Sequence, residues 1–205
     1  MKRSVSLVFV SLFLLSCATT PPPRIEENYY QNHQYGFVLE LPEGAWKPTK
    51  KIPAQFSQGL VAQGISPSKI ALKLFNNETQ ATIMVFCERR KGDLSAVSHN
   101  QLLDDLEKLL EKHREELLSN DMATSVTYNV WFDNPIIRYT FNLDVVDQIM
   151  RFHTTAQGFL YQLGDKIYGV TVTLVSNVLT YEQNLETFNQ MWASFRYGEE
   201  YTAEQ

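Results

Sequence analysis

The sequence predicts an α+β domain, an antiparallel β-sheet flanked by helices, and three observations carry that prediction. A long amphipathic helix stands near the middle of the chain, four alternating strand runs follow it in succession, and a second helix closes the chain. Strand runs joined by short turns pair antiparallel, and the apolar faces of such a sheet need helices to cover them.

The chain begins with Lys2 and Arg3, an apolar run from Val5 to Leu15, then Ser16 and Cys17. A cationic start, an apolar segment of about 7–15 residues and a small residue before the cut make a secretory signal. The run is too short for a membrane-spanning helix, which takes about 20 apolar residues. Leu14-Leu15-Ser16-Cys17 resembles the lipobox of bacterial lipoproteins. The resemblance implies cleavage after Ser16 and acylation of Cys17, and Ala18 in place of an aspartate implies the outer membrane. Ordinary cleaved secretion and an uncleaved anchor are the rival readings. The expected location is the bacterial cell envelope, lipid-anchored at the outer membrane with the domain on its periplasmic face.

Removing residues 1–16 from the 205 leaves 189, enough for one well-cored domain. Lys2 and Arg3 leave with the signal and no acid does, so the formal charge moves from −5 to −7. That balance argues against nucleic acid, whose binding needs clustered Lys and Arg. With Cys17 acylated, Cys87 has no partner and no internal disulfide forms. In the run 80–88, Cys87 shares its face with Ala81, Ile83 and Val85, which predicts a buried cysteine acting as a small hydrophobe.

Residues 17–34 read as the lipidated cysteine and a flexible tether, with Pro21-Pro22-Pro23 favouring extended chain that reaches at most roughly 50 Å. Tyr29 and Tyr30 have the alternative of packing on the domain edge. The domain is expected over 35–197, with 198–205 a polar tail. Phe37, Leu39 and Leu41 alternate with Val38 and Glu40 as a first strand, and Pro42 ends it. Residues 43–68 follow as a long Pro- and Gly-punctuated loop in which 59–64 has the option of a short strand. Ile70, Leu72 and Leu74 share one face of the next strand; Asn76-Asn77 turns the chain into the run 80–88.

The helix 98–118 opens with a capping box of Ser98 and Gln101 and a staple of Val97 and Leu102. Leu102, Leu103, Leu106, Leu109, Leu110, Leu117 and Leu118 form its apolar stripe. His113 lies on the edge of that stripe. Strand runs 124–132, 136–145, 149–161 and 166–175 come next. Gly164-Asp165 signals a two-residue hairpin, which sets Phe159 opposite Val170 and Tyr161 opposite Tyr168. On the other face Gly158 then meets Thr171 and Ala156 meets Thr173. The last helix starts at Thr180, with Gln183 completing a second capping box. It offers Leu185, Phe188, Trp192 and Phe195 to the core.

Three features together resemble the PsbP-like family. They are the opening run from Tyr35 to Trp46, the long helix before a meander, and the terminal helix ending Trp192-Ala193-Ser194-Phe195. That family includes extrinsic photosystem subunits, a Ran-binding import factor and many bacterial lipoproteins. The resemblance covers about residues 35–197 and implies an α/β/α sandwich with a non-enzymatic accessory or binding role.

The sequence has no Gly-x-Ser-x-Gly, phosphate-binding glycine loop, His-Glu-x-x-His or paired-cysteine motif. Neither a catalytic residue nor a cofactor is therefore expected. His153 shares a strand face with Thr155 and Gln157, and Arg138 projects from the preceding strand with Thr140 and Asn142. If the register joins them, they make a polar patch able to fix a small polar ligand; otherwise they are a sheet face reaching water. Trp46 with Lys47, Lys50 and Lys51 reads either as a basic loop facing an anionic lipid or polymer, or as solvated lysines. Ala156, Gly158 and Gly169 suit a docked helix or an apolar cavity. The leading expectation is a membrane-anchored exported lipoprotein, a non-enzymatic accessory module with an envelope protein partner. The alternative is a periplasmic binder of a small ligand near Arg138 and His153.

Overall fold

The computed structural model describes residues 21–50, 69–94, 98–119, 121, 123–133, 136–146 and 151–198. In chain order the elements are β1 (Arg24–Glu26), β2 (Tyr29–Asn32), β3 (Phe37–Glu40), β4 (Trp46–Pro48), β5 (Ile70–Asn76) and β6 (Ala81–Lys91). Then come α1 (His99–Ser119), β7 (Ser125–Asp133), β8 (Ile136–Val146), β9 (Arg151–Leu163), β10 (Lys166–Asn177), α2 (Tyr181–Ala193) and β11 (Arg196–Tyr197). The main sheet runs β4-β5-β6-β10-β9-β8-β7, and a small one runs β1-β2-β3-β11. Every pairing is antiparallel, and the α+β class and the α/β/α layering follow the sequence expectation.

The hairpin register is the one that Gly164-Asp165 predicts. Val170 faces Phe159, Tyr168 faces Tyr161, Thr171 faces Gly158 and Thr173 faces Ala156. Gly164 takes φ +60°, the left-handed conformation that such a turn requires. Because strand side chains alternate, this register sends Tyr168, Val170, Val172 and Leu174 to one face of β10. There they pack with Leu74, Ile83, Val85 and Cys87 beneath Phe188 and Met191 of α2 and Phe37 and Leu39 of β3. The opposite face carries Met84, Phe86, Phe152 and Val175 in one cluster. In a second cluster Leu110 and Leu117 of α1 pack on Val126, with Ala156 alongside. The small-residue strip thus partly serves helix docking. Leu109 departs from the expected stripe and is 61% exposed.

Four local expectations are corrected. First, strand structure extends upstream of Tyr35 as far as Arg24, because β1 and β2 join the small sheet. Tyr30 is only 3% exposed; its hydroxyl donates to the Ala71 carbonyl (3.1 Å) and accepts from Asn32 Nδ2 (3.0 Å). Second, Ala71 sits in a register shift, so Ile70 pairs with Phe86 while Leu72 pairs with Val85. The bulge turns Ile70 to the Met84–Phe86 side, away from Leu72 and Leu74. Third, Trp46–Pro48 forms β4 within the expected loop; 51–68, including the 59–64 segment, lies outside the described residues. Fourth, Thr180 makes no side-chain cap on α2. Its hydroxyl is drawn instead toward Ser176 Oγ, at 3.2 Å.

Asn184 takes over the work at that corner. It is 1% exposed; its amide donates to Ser176 Oγ (2.9 Å) and the Thr180 carbonyl (2.8 Å), and its oxygen accepts from Thr79 Oγ1 (3.0 Å). This ties α2 to the end of β10 and to the β5–β6 turn. On α1 the expected cap does form, with the Gln101 amide donating to Ser98 Oγ at 3.1 Å. Val97 of the staple lies outside the described residues.

Two predictions follow from the core. Thr82 is 1% exposed and its hydroxyl has no hydrogen-bond partner among the described residues. Thr82→Val should therefore raise stability by about 1 kcal/mol in denaturant unfolding, and a loss of stability would contradict the assignment. Burial pushes the Cys87 thiol from 9.0 up to about 12, and burial also raises Tyr30 and Tyr161. The unfolded chain releases these protons first, so it binds fewer protons than the folded chain above about pH 9. Stability should fall as pH rises through that window, read as a denaturation midpoint that declines from pH 8.5 to about 11.

Candidate functional site

The register across β7, β8 and β9 defines the sheet face that holds the predicted polar patch. Four rows cross the three strands: Trp131–Arg138–Phe159, Asn129–Thr140–Gln157, Thr127–Asn142–Thr155 and Ser125–Asp144–His153. Arg138 and His153 are on the same face, as the alternation requires. They are not neighbours, however, because six residues of strand separate their rows, about 20 Å. Arg138 holds the position opposite Phe159, at the end where α2 and β11 converge. The expected Arg138–His153 patch therefore does not form.

His153 and Thr155 do come together, under the first turn of α2. The Asp144 carboxylate pairs with His153 Nδ1 across the β8–β9 ladder. Tyr181 lays its ring against the imidazole, with centroids 4.8 Å apart. Its hydroxyl is hydrogen-bonded to Thr155 Oγ1, and Thr155 is 3% exposed. Burial raises the Tyr181 phenol, and the bond from Thr155 opposes that rise. One row further, Gln157 Nε2 donates to Asn189 Oδ1 at 3.3 Å and links β9 to the flank of α2.

A histidine oriented by a carboxylate is the arrangement that activates a hydroxyl nucleophile, but only if that hydroxyl faces the other ring nitrogen. Here the adjacent hydroxyl, Thr155, is engaged by Tyr181 and closed off from solvent. The cluster is built to clamp a helix end to a sheet. An open groove of about 780 Å³ runs along α2, lined by Glu182, Leu185, Glu186, Asn189 and Gln190 among others, and neither His153 nor Thr155 lines it. Among the described residues, no group of three or more His, Cys, Asp or Glu side chains is placed to hold a metal ion.

The basic loop also separates. Trp46 is 8% exposed and belongs to the main core, so it is not a partner contact. Its strand pairing explains this, because Trp46 opposite Asn76 turns its ring to the α2 side of the sheet. Lys47 and Lys50 are exposed. The Lys50 carbonyl accepts from Lys73 Nζ at 3.0 Å, and Lys51 lies outside the described residues. Cys17 lies there too. Sequence reasoning missed Asp144 and Tyr181. A turn at Val146-Asp147 would set His153 opposite Thr140, whereas the observed register sets it opposite Asp144; Tyr181 meets the patch only through tertiary packing.

No protein-family model matches the chain, and no curated protein matches it in sequence. Solved structures do match it in shape. Cyanobacterial PsbP (CyanoP) from Synechocystis sp. PCC 6803 superposes with a TM-score of 0.53 at 13% identity, over 90% of this chain and 99% of its own. LpqN of Mycobacterium tuberculosis, a protein involved in cell envelope biogenesis, superposes with a TM-score of 0.50 at 8% identity, over 78% of this chain and 83% of its own.

Replacing Tyr181 by Phe strands the Thr155 hydroxyl in a closed site, and should lower stability by about 1–2 kcal/mol in denaturant titration. An unchanged midpoint would show that the clamp carries no weight. The superpositions give this domain the PsbP-like fold.

Proposed function

We propose that the protein is an exported lipoprotein, held at the outer membrane by acyl chains on Cys17, whose PsbP-like domain serves the cell envelope as a non-enzymatic accessory module. The observation that carries this reading is Leu14-Leu15-Ser16-Cys17 behind a cationic and apolar leader. The fold shared with LpqN, a protein of envelope biogenesis, supports the compartment. Among the described residues no helix is long and apolar enough to cross a membrane, so a lipid supplies the attachment in this reading. Two or more acyl chains hold far better than one, since each buried methylene contributes about 0.8 kcal/mol.

In this reading the tether is short. With β1 starting at Arg24, the link from Cys17 is six residues long, and at about 3.1 Å each it reaches roughly 20 Å. The domain then works close to the bilayer surface, within reach of a partner lying on or near it. The non-enzymatic reading is supported by the missing catalytic motifs and by the closure of Thr155 beneath Tyr181.

Mass spectrometry of the mature chain tests the anchor. The expected amino terminus is Cys17 carrying a diacylglyceryl mass, and Cys17→Ser should leave the chain unprocessed or shift it out of the membrane fraction. A free thiol at Cys17, or a mature terminus elsewhere, would refute the proposal.

A further inference from the structure

We propose that the open face of β7 and β8 binds a glycan strand of the cell wall, a β-linked chain of N-acetylated amino sugars. The choice of the cell wall as source rests on the periplasmic placement proposed above; the chemistry of the face stands without it.

The two faces of β7 differ sharply. Val126 is 7% exposed and packs in the α1 cluster with Tyr128 and Val130. On the reverse, Ser125, Thr127, Asn129 and Trp131 are all exposed, and Trp131 is 41% exposed. Thr140 and Asn142 of β8 and Gln157 of β9 continue that side and are half-buried. Among the described residues, that side is closed where α2 begins, at the Gln157–Asn189 hydrogen bond. The result is a shelf about 10 Å across and about 20 Å long, with a wall along one side. An indole stands on it in the row next to Asn129, Thr140 and Gln157.

The side chains of the shelf select the ligand class. Asn and Gln amides donate and accept at once, and so do Thr and Ser hydroxyls. A phosphate calls for donors only and a cation for acceptors only, whereas sugar hydroxyls and acetamido groups present both. Asn129 and Asn142 can each donate to an acetamido carbonyl or accept from its N–H, and Gln157, whose Nε2 is bonded to Asn189, can accept through Oε1. The apolar face of a pyranose ring fits an exposed indole, which supplies a large rigid contact area. The strand floor of the shelf is uncharged between its end rows, while Glu182 and Glu186 stand with Asn189 on the α2 flank that walls it. Asp144 and His153 are paired with each other at one end.

The test uses the full-length chain in mild detergent with two probes: tetra-N-acetylchitotetraose followed by tryptophan fluorescence, and purified cell-wall sacculi followed by co-sedimentation. The wild type should bind both. Trp131→Ala should weaken binding about tenfold or more, Trp131→Tyr should retain most of it, and Leu109→Ala should leave it unchanged. Trp46 and Trp192 remain in Trp131→Ala to report that the chain is folded, and Trp131→Tyr gives a second measure if it is not. Failure of the wild type to bind either probe, or equal binding by Trp131→Ala, would overturn the proposal. So would a dimer in which Trp131 is shielded, because a second copy would then cover the face. The soluble probe reads the shelf whether or not Cys17 is acylated, so its result is separable from that of the anchor.

Discussion

The pairing of β10 between β6 and β9 is the constraint on which the rest of the molecule depends. Both faces of β10 are covered: Val170, Val172 and Leu174 are fully buried on one side, and Val175 is 8% exposed on the other. A slip of one residue would exchange the two sets, sending Tyr168, Val170 and Val172 to the face of Met84 and Phe86 and bringing Gly169, Thr171 and Thr173 under Phe188. A strand buried on two sides thus tolerates one register. Every row across β7, β8 and β9, and hence the neighbours of His153, Thr155 and Trp131, is inherited from it.

A second device fixes the helix over that sheet. Apolar packing alone is non-directional and would let α2 slide along its axis. The Asn184 knot with Ser176, Thr180 and Thr79, and the Thr155–Tyr181 pair one turn away, set its position. These polar groups are buried, and moving the helix by a turn would leave them without partners, which is far more costly than a slightly altered apolar contact. The same logic explains why Thr180 is not a cap. Its hydroxyl already lies beside Ser176 and the carbonyls of Thr79 and Asn177.

What was legible in the sequence is what depends on local period and turn chemistry. The β9–β10 register follows from Gly164-Asp165 and alternation, the start of α1 from Ser98 and Gln101, and the burial of Cys87 from its place beside Ile83 and Val85. The remainder depends on contacts between distant segments. A bulge at Ala71 leaves no composition signature; it is recognised only when the Tyr30 hydroxyl, 41 residues upstream, is seen to meet the displaced carbonyl. For the same reason residues 24–32, which read locally as a polar tether, join the domain through pairing with β3. Trp46 looked like a loop aromatic among lysines because its β5 partner lies across a long connection. The candidate patch failed in the same way, since alternation fixes which face Arg138 shares but not which row.

The width of the sheet explains why one of its faces divides into a core and an open shelf. Seven strands span about 29 Å, while a helix about 10 Å in diameter covers roughly two of them. On the side of Tyr161 and Val170, α2 and the small sheet lie over β5, β6, β10 and β9, and that cover runs out before β8 and β7. The sequence matches this limit strand by strand. β10 is apolar there at Val170, Val172 and Leu174, β9 changes from Phe159 to Gln157 and Thr155, and β7 presents Ser125, Thr127 and Asn129. Polarity rises as helix cover falls, which is what burial demands of a sheet lying only partly in the core. Trp131 breaks that gradient. It is a large apolar side chain of β7 on the part of this face that α2 does not reach, so the main core leaves its indole half open, and that is the surface the proposed glycan contact uses.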